Sequence, residues 1–286
     1  MVTQSHSPTS HSRDPGRIAA PNVICVPFSL VNAYLVGAGD GSWVLVDAGL
    51  SYSAPKIRRV AAHHFGRNTK PTAILLTHGH FDHVGALKNL VTSWNVPVYA
   101  HGFELPFLTG HADYPPPDPT VGGGLLALMS WMFPHRAIDL GPRARALPAD
   151  GSVPGLPDWR WIHTPGHSDG HVSFFRESDS TLIAGDAFVT TKQESLLAVL
   201  TRRQHVSRPP AYFTPDWQAA RQSVRELAAL DPSVAATGHG RPMRGLEMLR
   251  QLHTLAMNFD RIAVPKHGHY PHHPAHGIPV TAHRRA

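Results

Sequence analysis

Thr77-His78-Gly79-His80-Phe81-Asp82-His83 (THGHFDH) follows directly on the short apolar run 73–77 (AILLT), and this junction decides how the whole chain is read. The run has the length of a buried strand, closed by a turn signal. Four side chains able to bind a metal then fall within six residues. Neutral imidazoles suit borderline divalent ions such as zinc, and a carboxylate adds negative charge. Alternation along an extended loop puts His78 and His80 on one side of the chain. Asp82 and His83 are left to turn toward a neighbouring ion. Four ligands so close together do not converge on one tetrahedral ion, so the spacing points to a pair. Gly79 lets the backbone turn without a clashing side chain. The competing reading is a histidine-rich surface loop. It leaves unexplained three further segments of the same kind.

Those segments are His163-Thr164-Pro165-Gly166-His167-Ser168-Asp169-Gly170-His171, then Gly185-Asp186, then Gly238-His239-Gly240. Each sets a ligand-capable residue just beyond an apolar strand, at 159–163, 181–184 and 233–237, where a rigid element holds it more accurately than a free loop would. A further strand is expected at 171–175. Around the first motif, a helix over 84–94 and a strand over 97–100 continue a strand-helix-strand alternation. Upstream, 31–36 (VNAYLV) and 43–46 (WVLV) flank the glycine-rich turn 37–42 and read as a β-hairpin ending at Asp47. A helix over 54–65 carries Ile57, Val60, Ala61 and His64 on one face. Downstream helices are expected over 215–230, with Asp216 in the first turn, and over 243–260, with Leu246, Leu249, Leu252, Leu255 and Met257 apolar.

With 286 residues, 42% of them hydrophobic and 16% charged, the chain has the material for a packed core. Its 24 glycines and 27 prolines favour short elements joined by many loops over a long helical bundle. The division expected is a disordered segment over 1–21, one domain over 22–262, and a His-rich flexible tail over 263–286. The stretch 103–146 breaks the rhythm as an insertion. Its apolar run Leu125 to Phe133 (LLALMSWMF) is either a lid over a pocket or an ordinary surface helix, and it offers a face for a homodimer. The formal charge of +6 comes from scattered basic residues, which argues against nucleic acid as a partner. No apolar run reaches the ~18 residues of a membrane span. Cys25 is the single cysteine, which rules out an intrachain disulfide and suits a cytoplasmic protein, and the N-terminus has no signal-peptide pattern.

Taken in order, THGHFDH, TPGHSDGH, AGD and GHG resemble the metallo-β-lactamase superfamily over residues 22–262. The resemblance implies an α+β fold, a four-layer αββα sandwich with metals at one edge. It implies that His78, His80 and His167 bind a first ion, that Asp82, His83 and His239 bind a second, and that Asp186 bridges them. It makes Asp47 a supporting acid and His171 a non-ligating neighbour. His163 and His101 are read as structural histidines. The cofactors implied are two divalent ions, with zinc expected and iron or manganese as alternatives. The activity implied is hydrolysis of an ester-like bond in a small molecule, a thioester, lactone or related group, by a metal-bridged hydroxide that Asp82 helps to orient. The segment THGHFDHVGAL suits a glyoxalase-II-like thioesterase. A lactonase of the family carries tyrosine three residues after the bridging aspartate, where this chain has Val189. Two rivals share the scaffold. One is a mononuclear iron persulfide dioxygenase using His78, His167 and Asp186, and the other is a non-catalytic binding protein.

Overall fold

Apolar runs with no polar interruption need cover on both faces, and the chain supplies it by stacking layers. The structure, a computed structural model, describes residues 16–195, 197 and 204–280. Strands β1 (Arg17–Ala20), β2 (Val23–Pro27), β3 (Asn32–Gly37) and β4 (Trp43–Val46) form an antiparallel meander. The β3–β4 turn uses Gly39 and Gly41 at φ 94° and 90°, in the left-handed region where a side chain is penalised. From β4 the sheet becomes parallel. Helix α1 (Ala54–Phe65) crosses to β5 (Ile74–Leu75), and α2 (Phe81–Val84) with α3 (Leu87–Trp94) crosses to β6 (Val98–Ala100). The helix expected over 84–94 is therefore two pieces, broken at Gly85-Ala86.

Next come α4 (Leu105–Leu108), β7 (Ala112–Asp113) and α5 (Leu125–Leu128), and then β8 (Ala144–Ala146), which pairs with β6 and completes the first sheet. The second sheet is built from β9 (Ser152–Val153), β10 (Leu156–His163), β11 (Val172–Arg176), β12 (Thr181–Gly185), β13 (Val234–Thr237) and β14 (Met243–Arg244), in spatial order β14-β13-β12-β11-β10-β9. Helix α6 (Trp217–Ala228) links β12 to β13 and is capped by Asp216, which accepts from Gln218 N and Ala219 N. Helices α7 (Gly245–Met257) and α8 (Phe259–Ile262) follow.

Three cores separate the layers. Between the sheets lie Cys25, Tyr34, Val44, Val46 and Leu75 against Trp159, Val172, Phe174 and Ile183. Outside the first sheet, Ile57, Val60, Leu87, Leu90 and Trp94 of α1 and α3 pack on Leu35, Leu45 and Ile74. Outside the second, Val224, Leu227, Met248, Leu252 and Leu255 of α6 and α7 pack on Phe175, Leu182 and Ala235. Burying each such side chain is worth about 1.5–3 kcal/mol, so the sheets and helices hold this αββα order. Helix α7 buries only part of its expected apolar set. Leu246 and Met257 are exposed, while Met248, Leu252, Leu255 and Ala256 are buried. His64 of α1 is likewise exposed.

Both flanking segments depart from expectation where they are described. Residues 17–20 form β1 at the sheet edge, so the expected disordered segment over 1–21 includes ordered backbone, and residues 1–15 lie outside the described residues. Residues 263–280, expected as a flexible tail, are laid back on the body. β15 (Ile278–Pro279) pairs with β7, buried Tyr270 donates to Pro116 O at 2.6 Å, and His276 meets Asp169 at 2.7 Å. The tail stays down because the insertion supplies acceptors and an apolar seat for it. The run Leu125 to Phe133 is the short α5 followed by a 3-10 turn, not one helix. Leu128 and Trp131 point outward, while Phe133 turns in toward Phe81 and Phe213 at ring-centre distances of 5.7 and 6.2 Å. Among the described residues no helix is long and apolar enough to cross a membrane.

Candidate metal centre

The parallel strands β4, β5, β12 and β13 and the antiparallel β10 all deliver their C-terminal ends to one edge of the sandwich. Asp47 follows β4, His78 to His83 follow β5, His167 lies in the β10–β11 loop, Asp186 follows β12 and His239 follows β13. The structure brings all seven anticipated ligand positions together there. Donor atoms of His78, His80 and His167 lie within 4.8 Å of one another, as do those of His78, His83 and Asp186, and those of Asp82, His83 and His239. Gly238 makes room for this meeting, since a Cβ at that position would overlap Asp186 Oδ1.

Hydrogen bonds on the far side of each ring decide which nitrogen faces inward. Asp47 sits at φ 58°, a strained setting for a residue with a side chain. Its carboxylate accepts from Thr77 N at 2.9 Å, from Thr77 Oγ1 at 2.8 Å and from His83 Nδ1 at 2.8 Å. Thr77 Oγ1 thus donates its hydrogen bond to Asp47 and accepts from His78 Nδ1 at 3.0 Å. Thr214 Oγ1 donates to Pro210 O and so accepts from His167 Nδ1 at 3.4 Å. His239 Nδ1 donates to Leu30 O. In all four rings Nε2 is left toward the centre, the arrangement by which neighbouring acceptors fix a ligand's tautomer. His80 instead presents Nδ1, 2.9 Å from His167 Nε2.

His171 is held out of the set. Its Nε2 accepts from Asp186 N at 2.9 Å and its Nδ1 faces Thr164 Oγ1 at 2.8 Å. It positions the backbone that carries Asp186. Burial, with the nearby histidines, takes His171 down to about 3. His163 and His101 stack on each other at 4.2 Å, away from the centre, and His163 Nε2 meets Asp169 O at 2.9 Å. Burial and His163 bring His101 to about 4.

Electrostatics divide the centre in two. Burial and the other imidazoles lower His78 and His167 well below the usual histidine value and lower His80 to about 3. Burial also acts on His83 and His239, but Asp186 outweighs it, with Asp47 and Asp82 assisting at His83 and Asp82 at His239, and both are raised. Burial pushes Asp186 up, yet His239 and His83 hold it well below the ordinary carboxylate range. Asp186 Oδ2 lies 2.9 Å from His239 Nε2, 3.4 Å from His167 Nε2 and 3.6 Å from His83 Nε2. His78 Nε2, His83 Nε2 and Asp186 Oδ1 are buried without a hydrogen-bond partner. Orphaned polar atoms of this kind, aimed together from the loops after β5 and β12, are what a cation site needs and what a sealed protein core avoids. The donor set of imidazole nitrogens and carboxylate oxygens suits zinc, iron or manganese.

Several residues with a part in this centre carry no ligand spacing and were not anticipated. Phe213 stacks on His80 at 4.6 Å, Thr77 and Thr214 relay hydrogen bonds, and Glu104 and Tyr114 lie behind the two main loops. Thr77 and Thr214 are ordinary threonines in the sequence, and Glu104 and Tyr114 fall in the irregular stretch. Only contact reveals them.

Known proteins of similar sequence and fold include metallo-hydrolases. A curated relative from Bacillus subtilis (strain 168), "Probable metallo-hydrolase YflN", is 44% identical over 256 residues, covering 89% of this chain and 97% of its own. A hydroxyacylglutathione hydrolase of Nitrosomonas eutropha is 26% identical over 58% of this chain and 55% of that one. Among solved structures, TTHA1623 in a di-iron-bound form matches at a TM-score of 0.54 and 28% identity, covering 84% of this chain and 98% of that one. BLEG-1 B3 metallo-beta-lactamase shares the fold at 0.55 and 23% identity, over 81% and 92%. The sequence profile described as "Metallo-beta-lactamase superfamily" matches residues 26–239. That match takes in the strands from β3 to β13 and every segment that meets at the metal edge, and on that extent the chain belongs to the metallo-β-lactamase superfamily.

Proposed function

We propose that the chain is a hydrolase that holds two divalent metal ions, zinc in the first instance, and opens an ester-like bond in a small molecule. The observation that carries this reading is the convergence of His78, His80, His167, Asp82, His83, His239 and Asp186 with buried, unpartnered donor atoms among them. In it His78, His80 and His167 would hold one ion and Asp82, His83 and His239 the other, with Asp186 shared between them. Two such ions supply a water acidified toward neutrality as nucleophile and polarise the oxygen under attack. Asp82 is the most exposed of the seven, its side chain 14% accessible, with Oδ2 3.5 Å from His239 Nε2. It is placed to orient the attacking water and accept its proton. Phe213 on His80 and Phe133 on Phe81 make one wall apolar, which suits the acyl portion of a thioester or lactone and keeps bulk water from that side. The similarity to a hydroxyacylglutathione hydrolase supports the thioester within this class. The likeness to a di-iron-bound structure makes iron the alternative metal.

The test is elemental analysis joined to a panel of thioester, lactone, β-lactam and phosphodiester substrates. We expect two ions per chain and thioester or lactone turnover, abolished by a chelator and restored by zinc. One iron per chain with oxygen uptake on a persulfide would overturn the reading in favour of a dioxygenase. Metal-free protein inert to the whole panel would leave a binding protein.

A further inference from the structure

Glu104 is fully buried at the end of a 3-10 turn after β6, and its carboxylate lies between the two loops that carry the first three histidines. Oε2 accepts from Gly79 N at 2.9 Å and from Tyr114 Oη, and Oε1 accepts from Ser168 Oγ at 2.7 Å and from Gly170 N at 3.1 Å. Gly79 stands between His78 and His80, and Ser168 follows His167. One side chain therefore fastens the loop after β5 to the β10–β11 loop at the residues flanking the ligands. The fit is close on each side. A Cβ on Gly170 would sit 2.7 Å from Glu104 N, and Tyr114 lies against His80 with ring centres 4.5 Å apart.

We propose that Glu104 is a positioning residue for the first metal: as a buried carboxylate accepting from both loops, it sets the spacing between His78, His80 and His167. This rests on the metal-binding part of the reading above. All four donors are neutral, so the negative charge is shared among hydrogen bonds and left uncancelled beside the cation the histidines would hold. Burial raises the Glu104 carboxyl while the four hydrogen bonds oppose it. Only a group that accepts on both oxygens satisfies the two loops at once. A carboxamide accepts on one side and sets its NH2 against donors on the other.

The experiment measures metal affinity rather than turnover, by chelator competition with zinc and by the visible spectrum of the cobalt form, in the full chain and in a His239→Ala background that isolates the first half. Glu104→Gln is expected to weaken the first ion by about 10–100-fold, the scale of losing an outer partner of a ligand, and to shift the cobalt bands. The second ion should change far less. Tyr114→Phe and Ser168→Ala each remove one donor and keep the carboxylate, so each should weaken the first ion by less than Glu104→Gln. Wild-type affinity and an unchanged cobalt spectrum in Glu104→Gln would overturn the proposal. So would equal weakening of both ions together with a lowered melting temperature of the metal-free protein, which marks a merely structural role. If Glu104→Gln does not fold, the two milder variants decide, and unchanged first-ion affinity in both overturns it. A wild type that binds no metal sinks this proposal and the hydrolase reading together. A wild type with two ions that Glu104→Gln retains equally well sinks this one alone.

Discussion

The two halves of the centre are built from different electrostatics. His78, His80 and His167 come together without a carboxylate of their own, and burial keeps all three neutral. His83 and His239 share their half with Asp82 and lean on Asp186, and those carboxylates hold protons on them. The first half presents free lone pairs at any ordinary pH. The second must release protons before an ion can enter. Metal affinity is therefore expected to be a property of each half, with Asp186 as the shared member.

Replacing the shared member should have the largest effect. Asp186→Asn removes the charge that faces His167, His83 and His239 together. We expect loss of the second ion and a fall in turnover of about 10²–10³-fold or more, the scale of losing one charge-stabilising group in an active site. Metal-to-protein ratios and steady-state rates on the best panel substrate check this, and a variant with two bound ions and full turnover breaks the two-half description.

A pH series sharpens the contrast. A raised histidine keeps its proton further into the neutral range, so protons compete with the second ion there, and its affinity falls as pH falls. A lowered histidine offers no proton to displace, and His80, at about 3, stays neutral throughout an ordinary working range. As pH falls through the neutral range, where the raised His83 and His239 hold their protons, the second ion should weaken by up to roughly tenfold per pH unit for each proton displaced, while the first changes little. Chelator-buffered titrations across that range measure both, and parallel slopes would erase the distinction.

Asp47→Asn should be smaller and uneven. Asp47 touches His83 directly and reaches His78 only through Thr77. A loss of about 10–100-fold is expected for the second ion, and less for the first. The reverse order would show that the Thr77 relay matters more than the direct contact. The smallest effect belongs outside both halves. Trp131 is 69% exposed, so Trp131→Ala should leave stability within about 0.5 kcal/mol and both affinities unchanged. A changed metal content there would tie the exposed apolar run to the centre.

Much of this was legible along the chain. The strands carrying the motifs are apolar runs that end in glycine, histidine or aspartate, and a buried strand with a ligand-bearing loop is a local pattern. Its reading needs only neighbours in sequence. Helix faces were less legible. Leu246 and Met257 look like core residues in α7, yet they point outward, because the sheet beneath meets a stripe centred on Leu252. The expected flexible tail failed for a similar reason. His269, Tyr270 and His276 are held by Asp118, Pro116 and Asp169, partners more than a hundred positions away.

The amino-acid order alone determined which residue types stand at the strand ends, and with them the kind of chemistry the chain can carry, because ligand identity and spacing are properties of short segments. Only the tertiary structure decided which nitrogen of each ring faces the centre, which histidines keep protons, that His171 stands aside, and that Glu104 joins two loops. Those outcomes depend on burial and on hydrogen bonds between residues tens to hundreds of positions apart, and such contacts come into being only when the sheets pack.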